Sequence, residues 1–317
     1  MILLCHYFLF SDLNSGIGRY LGRTGNIIFF LVSALLYGLK YYPAAQLGNC
    51  VEYKEFDCKE FTIKRIIKFG ASVWPFLGFL IILYVISGTN FSWFDACLNF
   101  LFLGYLGELP GNGHLWFLTV LLACYAEMVL FLKLKIKNKW FPWIVLLLSV
   151  AALIVGEQKG IPGGLFLTLG VFGLIFFKNS RFVEKTRSML WWMSMAIIAI
   201  NIVVIYLEYN GLFEQSRVFH FILTSLCGIT LLALMLRFMP NKPNNVISFL
   251  SGISFEIYIV HHTLCAGPFV RITCWPCGHI LNFIIMTTIS VILAVALNYV
   301  AKFVASALNR FVTKYMA

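Results

Sequence analysis

Apolar stretches long enough, or nearly long enough, to cross a lipid bilayer recur along the whole chain, and this recurrence constrains the fold more than any single motif. They fall at 1–10, 25–42, 69–87, 114–132, 141–156, 161–177, 190–208, 219–237, 247–269 and 281–307. A bilayer interior offers no water to backbone N–H and C=O groups, so such segments must satisfy them internally, as helices. The expected fold is all-α, a polytopic transmembrane bundle of about ten helices forming a single domain over 1–317. Composition agrees: 61% of residues are hydrophobic and 12% charged, against roughly 45–50% and about 25% in soluble domains. The mean hydropathy is +0.87. Met1–Phe10 rises only about 15 Å against a hydrocarbon core of about 30 Å. It therefore reads as a truncated first helix: either Met1 is not the true start or the helix is half length.

A net charge of +11 would suit nucleic acid in a soluble protein, but in a membrane protein basic residues must first be placed in loops. With the N-terminus cytoplasmic, 19 of the 24 Lys and Arg lie in or beside inside loops. The other five, Arg19, Arg23, Lys159, Arg217 and Arg271, fall outside. The alternation holds at every loop, which places both termini in the cytoplasm. It also explains the basic balance through contact with membrane lipid and requires no nucleic acid. Ser92–Gly107 is too short and interrupted to span and reads as an outside interfacial helix. No cleavable signal peptide is visible at the N-terminus. Of the nine cysteines, Cys274 and Cys277 have CxxC spacing in an outside loop. A structural disulfide or free thiols fit that pair, and His279 alone is too little to complete a metal site, so no metal is expected.

Ionisable side chains in hydrocarbon are costly, so those that occur there point to function. The densest group is Ser254-Phe255-Glu256-Ile257-Tyr258-Ile259-Val260-His261-His262. On a helix Glu256 and His261 stand about 140° apart, so they do not share a face, although neighbouring helices can still close one polar cavity around both. The expected topology carries His6, His114, His261 and His262 to the outer half of the membrane, and histidine suits general base work near neutral pH. His114 and Trp116 open a segment after Pro110-Gly111-Asn112-Gly113, where an aromatic belt or a site wall both fit. Arg65 and Lys68 lie one turn apart at the inner mouth of the third segment, which suits a phosphorylated ligand or a juxtamembrane anchor. Arg19 and Arg23, in an outside loop, can meet an anionic substrate or lipid headgroups. Ser33 and Ala34 are small enough for close helix approach. Glu127, deep in the fourth segment, pairs with a polar group or lines a path.

Five of these pieces, in order, resemble the acyltransferase-3 family of multi-pass bacterial membrane O-acyltransferases. They are His6, Phe29-Phe30-Leu31-Val32-Ser33, Phe61-Thr62-Ile63-Lys64-Arg65-Ile66-Ile67-Lys68, His114-Leu115-Trp116-Phe117-Leu118 and Ser254 through His261. The resemblance implies a bacterial inner-membrane enzyme that moves an acyl group to a hydroxyl of an extracytoplasmic, cell-envelope glycan acceptor. The group would be acetyl from cytoplasmic acetyl-CoA or another acyl from its acyl-CoA. His6 matches the histidine regarded as catalytic, with Glu256 and His261 beside it in that role. Arg65 and Lys68 match a basic pair expected at the CoA phosphates, and Ser33, His114, Trp116 and Tyr258 are the expected substrate contacts. The chain departs from the family at Ala34, where glycine is usual, and in having no arginine about ten residues before His6, a position that would precede Met1. A transporter or flippase for a glycan or small solute is the alternative, motivated by Glu127 and Glu256, although no two related halves are visible.

Overall fold

The computed structural model describes residues 1–11, 13, 15–41, 57–133, 180–210, 212, 217–238 and 244–316. Among the described residues there are ten α-helices and no strand: α1 (Ile2–Phe10), α2 (Ser15–Tyr41), α3 (Cys58–Ser87), α4 (Trp93–Phe100), α5 (Trp116–Lys133), α6 (Ser180–Tyr209), α7 (Arg217–Phe238), α8 (Asn245–Gly252), α9 (Ser254–Ala266) and α10 (His279–Met316). The expected segments 141–156 and 161–177 lie outside the described residues, as does the side chain of Glu127. Two of the helices, α3 and α10, are long and apolar enough to cross a membrane.

Helix ends differ from the apolar windows for local reasons. The second helix begins at Ser15, so Arg19 and Arg23 stand on its first turns and not in a loop. Likewise α3 starts well before its apolar run, because the Asp57 carboxylate accepts the Glu60 N–H at 3.0 Å and caps it. Arg65 and Lys68 are thereby helical. This helix stops at Gly88, whose φ of 66° is left-handed. The short helix expected within 92–107 is α4, capped by Ser92 accepting the Asp95 N–H. The largest departure is in 247–269, which is two helices broken at Ile253. The Ser251 and Ser254 hydroxyls there bond back to the carbonyls of Ser248 and Ser251, competing with the ordinary ladder beside Gly252.

The residues group into two compact units. One comprises Met1–Cys5, Asn14–Phe56 and Val120–Pro240, and in it α2, α6 and α7 pack together. Gly228 lets α2 approach α7, since a Cβ there would lie 2.6 Å from Ile27. The other comprises His6–Leu13, Asp57–Thr119 and Asn241–Ala317, with α9 set against α3 and α10. Its buried interior mixes small residues, Ala71, Ser72, Ser290 and Ala294, with Val73, Leu77, Ile259 and Met286. Small side chains permit the close approach that gives apolar helices their dispersion contacts. The turn before α5 is pinned to α3: the Tyr84 hydroxyl donates to the Pro110 carbonyl, and the Asn112 amide donates to the Tyr84 oxygen at 3.0 Å.

Candidate active site

All the imidazoles that the sequence assigns to one level belong to the second unit, and they meet. His6 comes from α1, His114 from the 3₁₀ turn Gly113–Leu115, and His261 and His262 from α9. Ring centroids are 4.9 Å apart for His6 and His261, 4.7 Å for His6 and His262, and 4.5 Å for His114 and His262. His114, His261 and His262 are buried, while His6 is half-buried and gives the cluster its accessible edge.

Carbonyl partners fix which nitrogen carries each proton, because a carbonyl only accepts. His261 Nδ1 lies 3.0 Å from the Ile257 carbonyl, so it is the protonated nitrogen. In a neutral ring Nε2 is then bare, and it accepts from His6 Nδ1 at 2.6 Å. Along this chain His6 in turn keeps a bare Nε2. His262 Nδ1 donates to the Gly111 carbonyl at 2.7 Å, and His114 Nε2 donates to the Ile259 carbonyl at 3.1 Å. The Tyr258 hydroxyl donates to the His114 carbonyl, which holds the turn onto α9. Gly111 has φ of 69°, and a Cβ on it would sit 2.5 Å from the Gly267 Cα. Only glycine combines that left-handed turn with so close an approach, and the turn presents the carbonyl that orients His262.

Glu256 is buried one turn earlier on α9, and its hydrogen bond runs to α3 and not to these rings. Its carboxylate accepts from the Ser72 hydroxyl of α3 at 2.8 Å. Lys68, one turn from Ser72, lies within the electrostatic reach of both Glu256 and Arg65, and the Arg65 guanidinium stands 5.5 Å from the Phe61 ring centroid. The expected residues of this unit therefore form two groups: the imidazoles with Tyr258, and the Glu256–Ser72 pair with its basic neighbours. Trp116 is half-buried against Phe117, whose ring lies 5.3 Å from Tyr258. Ser33 belongs to the other unit, on α2. Cys274 and Cys277 are exposed free thiols, so the loop holds no disulfide between them. Among the described residues no group of three or more His, Cys, Asp or Glu is arranged to hold a metal ion.

Sequence reasoning placed His262 at one level with the other three histidines without naming it among the site residues, and it gave no role to Ser72 or Tyr7. His262 was visible as a neighbour of His261, whereas Ser72 had no signal of its own inside an apolar run. Tyr7 is buried beside His6 and donates to the His279 carbonyl at 2.7 Å, tying α1 to the start of α10.

A base-bearing imidazole pair at the edge of a buried, carbonyl-oriented cluster is suited to proton transfer from a substrate held beside it. The protein is an enzyme of acyl-group transfer: a family model described as an acyltransferase domain matches residues 1–303, and the chain belongs to that acyltransferase-3 family. Comparison with curated proteins and with solved structures gave no match.

Proposed function

We propose that the protein is an integral membrane O-acyltransferase that carries an acyl group, acetyl in the simplest case, from cytoplasmic acyl-CoA to a hydroxyl of an extracytoplasmic cell-envelope glycan. The observation that carries this reading is the bare Nε2 of His6, the half-exposed end of a hydrogen-bonded imidazole pair. In the proposed step the acceptor oxygen attacks the thioester carbonyl carbon while His6 Nε2 takes the hydroxyl proton. The C–S bond then breaks and the imidazolium returns that proton to the departing thiolate. His261 holds His6 in the working tautomer, and His114 with Tyr258 and Trp116 walls the acceptor.

The donor end is read from α3 and α10. Counted from Ser87 and from His279, Lys68 and Lys302 lie about 29 Å and about 35 Å along their helices, close to one hydrocarbon thickness. Lys302, Arg310 and Lys314 lie along one open side of α10. With Arg65 and Lys68 they supply positive charge where CoA phosphates would enter. This supports an inner-membrane, multi-pass protein with cytoplasmic termini, organised as one acyltransferase domain. The Glu256–Ser72 pair lies between the basic end and the imidazoles, where polar groups can meet the amides of the pantetheine arm.

Membranes from a bacterium expressing the chain, given acetyl-CoA labelled in the acetyl group, should gain alkali-labile label in envelope polysaccharide. His6→Ala should abolish that gain at unchanged protein level, and label at the wild-type rate would remove the catalytic assignment. The break between α8 and α9 favours one second reading, because transporters place substrates at discontinuous helices. Uptake of labelled glycan into proteoliposomes without any acyl-CoA would support that reading instead.

A further inference from the structure

The loop between α9 and α10 holds a pair of thiols that the chemistry above does not use. Cys274 ends the 3₁₀ turn Ile272–Cys274, and Cys277 follows three residues on, in the turn at Pro276-Cys277 just before α10. Both are exposed free thiols, whereas Cys5, Cys124, Cys227 and Cys265 are buried. Free cysteine is among the most buried of residue types, so two exposed thiols at this spacing stand apart. Accessible thiols are the ones that react, and a second thiol close in the chain resolves the mixed disulfide that the first one forms.

The loop is also tied to the imidazole site, within the same compact unit. On its near side the Thr273 hydroxyl donates to the Cys265 carbonyl of α9 at 3.2 Å. Between the two cysteines, the Trp275 carbonyl accepts from the Asn282 amide of α10 at 2.7 Å. Tyr7, next to His6 in the chain, donates to the His279 carbonyl at 2.7 Å. Its hydroxyl also meets the Asn282 side chain and lies within the electrostatic reach of Cys274. A disulfide holds its two Cα atoms about 4.4–6.8 Å apart. Closing one here therefore fixes the backbone of Trp275, and with it the carbonyl that Asn282 grips.

We propose that Cys274 and Cys277 are a thiol–disulfide exchange site for an extracytoplasmic disulfide, and that the bond formed there sets the loop against which Tyr7 holds α1. Under the topology proposed above the loop faces away from the cytoplasm, on the side where disulfides persist. Only that orientation rests on the acyltransferase reading. In the exchange one cysteine, as thiolate, attacks a sulfur of the incoming disulfide. That S–S bond breaks, and its electron pair leaves on a thiolate that takes up a proton. The second cysteine then attacks the mixed disulfide, which closes the Cys274–Cys277 bond and releases the second thiol. The cysteine pair loses two electrons, and the incoming disulfide gains them as it becomes two thiols.

The test uses the full chain in nanodiscs, with oxidised and reduced glutathione as the probe and mass spectrometry of its peptides as the readout. Oxidised glutathione should remove two hydrogen atoms from the peptide that holds Cys274 and Cys277, and reduced glutathione should restore them. Cys97, exposed and alone on α4, should carry a glutathione mixed disulfide instead. Cys274→Ser and Cys277→Ser should each stop at the mixed disulfide on the remaining cysteine. Closing a loop of four residues restricts the opened chain enough to shift an opening equilibrium by about 20-fold. Hydrogen exchange at the Asn282 N–H, which donates to the Gly278 carbonyl at 3.0 Å, should therefore slow by up to about 20-fold on oxidation. The Ser11 N–H, which donates to the Tyr7 carbonyl at 3.0 Å, should slow with it. In Asn282→Ala the disulfide should still form without any effect at Ser11. His6→Ala should exchange as wild type does, so a failed catalytic assignment leaves this result untouched. Mixed disulfides on both cysteines of the wild type with no internal bond, or no reaction at either, would overturn the exchange site. An internal bond that leaves exchange at Ser11 unchanged would overturn its link to α1.

Discussion

Replacing His261 tests the imidazole pair more sharply than replacing the base itself. In His261→Ala the His6 Nδ1–H loses its 2.6 Å acceptor, and a partly buried donor without a partner costs about 1–3 kcal/mol. His6 then leaves the orientation in which Nε2 faces the acceptor, or stays there at that cost. At about 1.36 kcal/mol per factor of ten, the acyl-transfer rate should fall roughly 5- to 150-fold. Loss of the proposed base in His6→Ala should be larger, about 10²- to 10⁴-fold. If His261 acts through His6 as proposed, the double variant should be no slower than His6→Ala alone. The assay is transfer of labelled acetyl from acetyl-CoA to alkali-labile ester in membranes, with protein level measured alongside. The Michaelis constant for acetyl-CoA should stay within about twofold, since the donor phosphates are proposed to meet Arg65 and Lys68 and not His261. Multiplicative losses in the double variant would refute the relay, as would an unchanged rate in His261→Ala.

Three further outcomes are expected. Gly111→Ala should lower the melting temperature and the rate together: the φ of 69° costs a Cβ about 1–2 kcal/mol, and the Gly267 backbone 2.5 Å away must also shift. A variant as stable as wild type would mean that the turn has no such strain to report. Ser72→Ala removes the hydroxyl that donates to the buried Glu256 carboxylate and should destabilise by about 1.5–3 kcal/mol, seen as reduced thermal stability in detergent. Arg65→Gln and Lys68→Gln should each raise the Michaelis constant for acetyl-CoA by about tenfold, with the turnover number nearly unchanged. Removing the 3′-phosphate of CoA should make the two variants resemble wild type, and a fall in turnover number alone would place these cations elsewhere.

Much of this architecture is legible in the apolar pattern, because apolar runs of spanning length leave the backbone little choice but helix. The pattern fails where helices end, since caps and overhangs are polar. Asp57 starts α3 eleven residues before its apolar run, and Arg19 and Arg23 sit on α2 because a helix need not stop where its hydrocarbon face does. It fails also at Ile253, where a chain of serine-to-carbonyl bonds interrupts a stretch that hydropathy reads as continuous. The convergence of His6, His114 and His261 was legible from topology alone, which carries all three to one depth. Their division from Glu256 was legible only in part: the 140° helical offset predicts different faces, but nothing in the sequence names Ser72 as the partner.

The chemistry of the cluster is set by groups that no residue letter reveals. Each buried imidazole is oriented by a main-chain carbonyl, from Ile257, Ile259 or Gly111, so substitution of Ile257 or Ile259 by another aliphatic residue leaves the acceptor in place. Gly111 differs, because its carbonyl position depends on a backbone angle that other residues resist. One helix, α9, thus supplies two of the rings and two of the three acceptors, and a displacement of that helix would change several proton positions at once. Its start is the break at Ile253, an end with no side-chain cap, and its end is held by Gly267 against the Gly111 turn. Fixing the two ends of one short helix therefore fixes the tautomers of the cluster. That is the physical reason the site tolerates an otherwise featureless apolar sequence between its polar residues.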